Sequence, residues 1–279
     1  LWMRYCLFCN NTMEILEYSF FQNALIGSLL ASLTCAIVGT FVVCRRTVFI
    51  SGGISHASFG GGGVGMFLGV NPTIIAFLFA IASAVGTHWI SKSKEVREDS
   101  AIAVFWILGM TLGIIFSFLS PNYSGELSTY LFGNILTISR GDIMLLGIVA
   151  IAVIIFTAIF LRAILLVAFD ADFARSRNIP ASAIEYAMMI FVALTIVATL
   201  RLVGVVLVIS MLTVPQMSAM IFTDSYKKII ILSVAFGYGA SIAGLFLSYF
   251  LNIPSGASVI LCSIVIYLLC LTKKLFTKD

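Results

Sequence analysis

Stretches of about twenty apolar residues recur along this chain from Phe20 almost to its end. Each is long enough, as a helix, to cross a hydrocarbon core of about 30 Å. Inside hydrocarbon every backbone N–H and C=O must find its partner within the protein, which leaves helices or a closed barrel. A barrel needs strands of roughly ten residues with alternating polarity, and no such alternation is present. Only 10% of the 279 residues are charged and the mean hydropathy is +1.13, whereas soluble domains carry about a quarter charged residues. The expected fold is all-α: a polytopic integral membrane protein of about nine transmembrane helices, with eight to ten compatible.

The expected spans are 20–44, 47–70, 73–90, 100–119, 142–161, 181–200, 202–222, 229–251 and 255–271. Asn71-Pro72 separates the second from the third, and Asp99 is the expected N-cap of the fourth. A short apolar piece, YLFGNILTI from Tyr130, cannot cross and reads as re-entrant or interfacial. Residues 1–19 form an N-terminal segment, 20–272 one membrane domain and 273–279 a short basic tail. Met13 reads as the natural start, and Cys6 and Cys9 make one CxxC, weak evidence for a metal site. The first apolar run is too long for the core of a cleavable signal peptide.

Lys and Arg give the orientation. With the N-terminus outside and nine crossings, thirteen of the 16 basic residues fall on the cytoplasmic side, leaving Arg4, Arg140 and Arg201 outside. The C-terminus is then cytoplasmic. No basic cluster suits a nucleic-acid partner. No GxxxxGK[ST] phosphate loop is present, so any ATP hydrolysis that drives the chain belongs to another polypeptide.

Residues 50–71, ISGGISHASFGGGGVGMFLGVN, hold the chemistry. Gly61, Gly65 and Gly69 fall four apart, a helical stripe that lets backbones approach closely in a bilayer. His56 lies near the middle of that span, where an ionisable group is costly and marks a pathway by default. Imidazole is a ligand for zinc, manganese and iron; the alternative is a neutral His bonded to a serine of a neighbouring helix. His88 reads as interfacial, and Glu98-Asp99 as acids complementing a helix dipole. The interval FDADFARSRNIP, 169–180, is short and amphipathic, with Phe169 and Phe173 four apart on one face and Asn178 suited to a left-handed helix end. Pro215 interrupts the seventh span, with Ser210, Thr213 and Gln216 at hand to satisfy freed carbonyls.

Together SGGISHASFG (51–60), Glu98-Asp99, YLFGNIL (130–136), FDADFARSRNI (169–179), LVGVVLVISMLTVP (202–215) and NIPSG (252–256) resemble the membrane permeases of bacterial ABC importers for zinc, manganese and iron. The resemblance spans about 20–271. It implies a multi-pass permease of the bacterial cytoplasmic membrane that is not itself an enzyme and acts as a homodimer with its pathway at the subunit interface. An extracytoplasmic metal-binding protein would deliver the ion, meeting Gly125, Glu126 and YLFGNIL. Two copies of a separate ABC ATPase would dock on Phe169, Asp170, Asp172, Phe173, Arg175 and Asn178. It implies His56 as a metal ligand, but the family has an Asp one turn earlier, where this chain has Gly52. Ser51 and Ser55 are then the nearby oxygen donors. The rivals are a permease for a siderophore-type metal chelate or corrinoid, and an ion-coupled secondary transporter, which calls for more intramembrane carboxylates.

Overall fold

The computed structural model describes residues 18–91, 97–120, 133, 135 and 138–276, apart from the side chains of 201, 275 and 276. Met13, the CxxC, Arg4, Lys92, Lys94, Gly125, Glu126, most of YLFGNIL and Lys278 lie outside them. In chain order the helices are α1 (Ser19–Cys44), α2 (Phe49–Phe67), α3 (Pro72–Ser91), α4 (Glu98–Leu119), α5 (Arg140–Phe169), α6 (Ala171–Ser176), α7 (Ala181–Met211), α8 (Val214–Met220), α9 (Tyr226–Leu251) and α10 (Ser255–Phe276). Among the described residues there is no strand.

Among the described residues eight helical stretches are long and apolar enough to cross a membrane, with Ala181–Leu200 and Leu202–Met220, which share α7 and α8, counted separately. The ninth expected span, α2, forms a 19-residue helix. Its glycines, serines and His56 keep it off that count, because they dilute its apolar character. Its polarity is tolerable because protein, rather than lipid, surrounds it: 14 of its residues are buried, against α3, α4 and α7. A second layer is centred on α1, which packs on α5, α7 and α9. Phe41, Ile54, Met188, Ile196 and Leu200 join the two layers in one buried core.

Local chemistry sets the helix limits. At α5 Ser139 and Asp142 form a capping box, each accepting from the other's backbone N–H, at 3.2 and 3.3 Å. That cap starts the helix at Arg140, and its 30 residues rise about 45 Å, more than the bilayer core requires. At α4 the expectation for Asp99 is corrected: Arg97 is the N-cap, and Glu98 and Asp99 occupy the first turn, where carboxylates complement the dipole. The sixth and seventh expected spans are joined. α7 runs on through Arg201 and kinks at Gly204, whose φ of 76° falls in the left-handed region that glycine tolerates.

A second break follows at Leu212–Thr213, where Thr213 has φ −130° and ψ −55°. Pro215 sits in the first turn of α8, where its missing N–H removes no helical bond. The wholly buried Gln216 donates from Nε2 to Met211 O (3.1 Å) and to Cys35 O of α1 (2.8 Å). Thr213 Oγ1 donates to Ile209 O at 2.8 Å. The carbonyls loosened by the break are therefore taken up by side chains, and the break is tied to α1.

Candidate functional site

Two of the expected stripe glycines hold α2 against α3. A Cβ on Gly61 would fall 2.6 Å from Ile75 O, and one on Gly65 2.7 Å from Pro72 Cα. Gly69 corrects the expectation: α2 ends at Phe67, and Gly69 turns the chain toward α3 at φ +68° with nothing within 4 Å of a Cβ. A second face, not foreseen, lies against α4. There a Cβ on Gly60 would fall 2.6 Å from Gly109 O, and one on Gly63 2.5 Å from Gly113 O. The G-x-x-x-G spacing of Gly109 and Gly113 was the available signal.

Between Ile50 and Gly63 every residue of α2 is buried except His56, which is half-buried. Its ring stacks on the Trp106 indole of α4, centroids 4.5 Å apart and planes within 17°. Its Nδ1 stands 3.0 Å from Met110 Sδ, one turn further along α4. Gly52 explains this arrangement. A Cβ there would lie 2.9 Å from Trp106 Cζ3, so the indole fills the space that an aspartate side chain would need. The imidazole thus has an aromatic and a thioether neighbour in place of a carboxylate.

Ser51 and Ser55 do not join it. Both are wholly buried, and their hydroxyls donate along the helix, to Val48 O and Ser51 O, each at 2.7 Å. Neither reaches the opening at His56. The serine-bonded alternative for His56 is likewise replaced by the Met110 contact. Among the described residues no group of three or more His, Cys, Asp or Glu is gathered as a metal cluster.

At one end of the bundle a cavity of about 320 Å³ is lined by residues of α3, α4, α6 and α7 and by Arg45, which follows α1. The connections expected on one side of the membrane thus meet in space. Glu185 is only 2% exposed, with Oε1 2.7 Å from an Arg45 guanidinium nitrogen and Oε2 3.4 Å from His88 Nε2. A buried carboxylate requires such partners. Glu185 is thus a carboxylate inside an expected span, and His88, in the last turn of α3, is enclosed by protein at 6% exposure. A lone Glu five residues past Pro180 in an apolar run was the sequence signal.

Beside this cavity lies α6. Asp170 caps it by accepting from Asp172 and Phe173 N–H at 3.1 and 2.9 Å. Arg175 pairs with Asp172 at 2.7 Å, and Asn178 takes φ 57°. Phe169 ends α5 while Phe173 belongs to α6, with the extended Asp170 between them. The expected common helix face is therefore corrected, because the chain bends there. Both rings are exposed, at 65% and 44%, while Ala174 anchors α6 fully buried.

A bundle of helices apolar enough to cross a membrane, packed around a buried, glycine-rich helix with one open histidine, defines a multi-pass membrane protein. The chain belongs to the ABC 3 transport family, which it matches over residues 17–274. This agrees with the resemblance carried by its motifs. It is 36% identical to an uncharacterized membrane protein of Synechocystis sp. over 93% of this chain and 92% of that one. It is 32% identical to the manganese transport system membrane protein MntC of Listeria monocytogenes, over 91% and 90% of the two chains. Among solved structures, PsaBC from Streptococcus pneumoniae in complex with Fab matches with a TM-score of 0.85 at 29% identity, over 94% of this chain and 95% of that one.

Proposed function

We propose that this chain is the permease subunit of an ATP-binding-cassette importer that carries a divalent transition-metal ion, zinc, manganese or iron, into the cytoplasm. The observation that carries the reading is the single break in burial between Ile50 and Gly63 of α2, at His56. An imidazole opening from a helix otherwise sealed by glycine contacts presents one nitrogen ligand at one depth of the bundle. A transported ion needs sites that bind it well enough to enter and weakly enough to leave. In this reading two copies meet across the surface that His56, Trp106 and Met110 share, in the bacterial cytoplasmic membrane. The chain lies with its N-terminus outside and the Arg45 end of the bundle in the cytoplasm.

The described side chains against His56, Trp106 and Met110, bear on the cargo. Thioether and imidazole suit softer ions than oxygen donors do, which favours zinc or iron(II) over manganese. The MntC likeness supports the transport class, and the donor set supports the cargo within it. Cells lacking the chain, starved in turn for each metal, lose content of zinc or iron, and re-expression restores it. Unchanged content of all three metals rejects the reading.

ATP hydrolysis falls to a separate subunit, and an extracytoplasmic metal-binding protein delivers the ion. The docking element is α6 with its flanks, where the exposed Phe173 stands over a buried Ala174 anchor. Phe173→Asp is expected to cut recovery of the ATPase with the detergent-solubilised permease about tenfold, since a charge replaces a contact of hot-spot type. Insertion should be unaffected because the ring makes no core contact. Undiminished co-purification removes α6 as the docking element.

A further inference from the structure

We propose a second divalent-cation site in the cavity beside α6, with His88 Nε2 and Glu185 Oε2 as its protein ligands. His88 is 94% buried by its 6% exposure and lines the cavity, and Glu185 Oε2 stands next to its Nε2 without a well-aligned hydrogen bond between them. A buried imidazole nitrogen paired this loosely has room for a shared ligand. The two atoms stand 3.4 Å apart. Nitrogen and oxygen ligands at about 2.1 Å from a tetrahedral ion are separated by about 3.4 Å, so one cation fits both with little movement. The chemistry selects a borderline divalent ion, for which imidazole and carboxylate are common ligands.

The surroundings favour passage over storage. Arg45 holds Glu185 Oε1 at 2.7 Å, the kind of outer contact that orients a ligating carboxylate. Glu98 and Asp172 also line the cavity and offset the charge of Arg45 and Arg175. Two protein ligands beside a guanidinium bind an ion weakly, and the remaining positions belong to water. Such a site receives an ion leaving His56 and lets it go. Because Asp172 belongs to α6, movement of α6 changes the charge that faces the ion. The proposal rests on the transport reading above and extends it to a second station.

The chain has only 2 histidines, which makes the test direct. The full chain, carrying a histidine-free tag and reconstituted in nanodiscs, is loaded with Zn²⁺ and examined by X-ray absorption. In His56→Ala every imidazole signature comes from His88. That signature is expected to persist there and to vanish in His56→Ala/His88→Gln. Zn²⁺ affinity in the His56→Ala background is expected to fall about tenfold or more with His88→Gln, and similarly with Glu185→Gln, which keeps an oxygen for Arg45. Absence of imidazole scattering from correctly eluting His56→Ala protein overturns the site, as does unchanged affinity in either second variant. A persistent His88 signature in a chain whose loss leaves cellular zinc, manganese and iron unchanged upholds this site and rejects the transport reading instead.

Discussion

Replacing His56 by alanine lowers metal uptake about tenfold or more while the subunit still inserts and recovers its ATPase partner. The size follows from removing a ligand, because even supporting contacts at metal sites change affinity by about 10–100-fold when lost. The sparing of assembly follows from the surroundings. His56 is half-buried, and what its side chain gives up is a stack on Trp106 and one contact to Met110. An aromatic pair contributes about 0.5–1.5 kcal/mol, small beside the close glycine contacts that fix α2 between α3 and α4. Uptake in starved cells and co-purification of the ATPase are measured on the same membranes. Normal uptake by the variant takes His56 off the path.

The second large effect concerns Gly52. Gly52→Asp alone is expected to impair assembly, because its Cβ would stand 2.9 Å from the Trp106 ring and its carboxylate would enter a buried position. Overpacking costs about 1–3 kcal/mol, and a carboxylate at membrane depth adds about 2.5–3.5 kcal/mol on insertion scales. Gly52→Asp with Trp106→Ala removes the obstruction and sets a carboxylate one turn before His56. This double variant is expected to recover membrane assembly and to shift competition between Mn²⁺ and Zn²⁺ toward manganese by about tenfold, since oxygen donors suit the harder ion. Uptake of each ion in the presence of the other reads the shift. An unchanged preference in an assembled double variant shows that position 52 does not set selectivity.

Helix ends explain two of the differences between sequence pattern and structure. Gly69 counts as a stripe position only if α2 continues past Phe67, and Phe169 and Phe173 share a face only if one helix holds both. Helical spacing is informative within a helix and misleads across its end. His88 and Glu185 are 97 positions apart, and neither stands out alone; their meaning appears when α3 and α7 bring them within 3.4 Å. In the sequence Trp106 and Met110 are two apolar residues in an apolar span, yet they decide what surrounds His56.

What the sequence determined by itself was the class of architecture. Crossing the bilayer is decided locally, by whether about twenty consecutive residues tolerate hydrocarbon, so the spans, the break beside Pro215 and the prominence of His56 could be read directly. What only the tertiary structure decided was which neighbours each polar residue meets. In a span that is apolar all round, the hydrophobic effect does not choose the face turned inward, because lipid and protein are alike in apolarity. Close packing makes that choice instead, through contacts such as Gly60 on Gly109, whose effect on helix rotation is fixed only when both helices are in place. For that reason Gly52 was visible as a missing carboxylate, while the Trp106 ring that occupies its space was not.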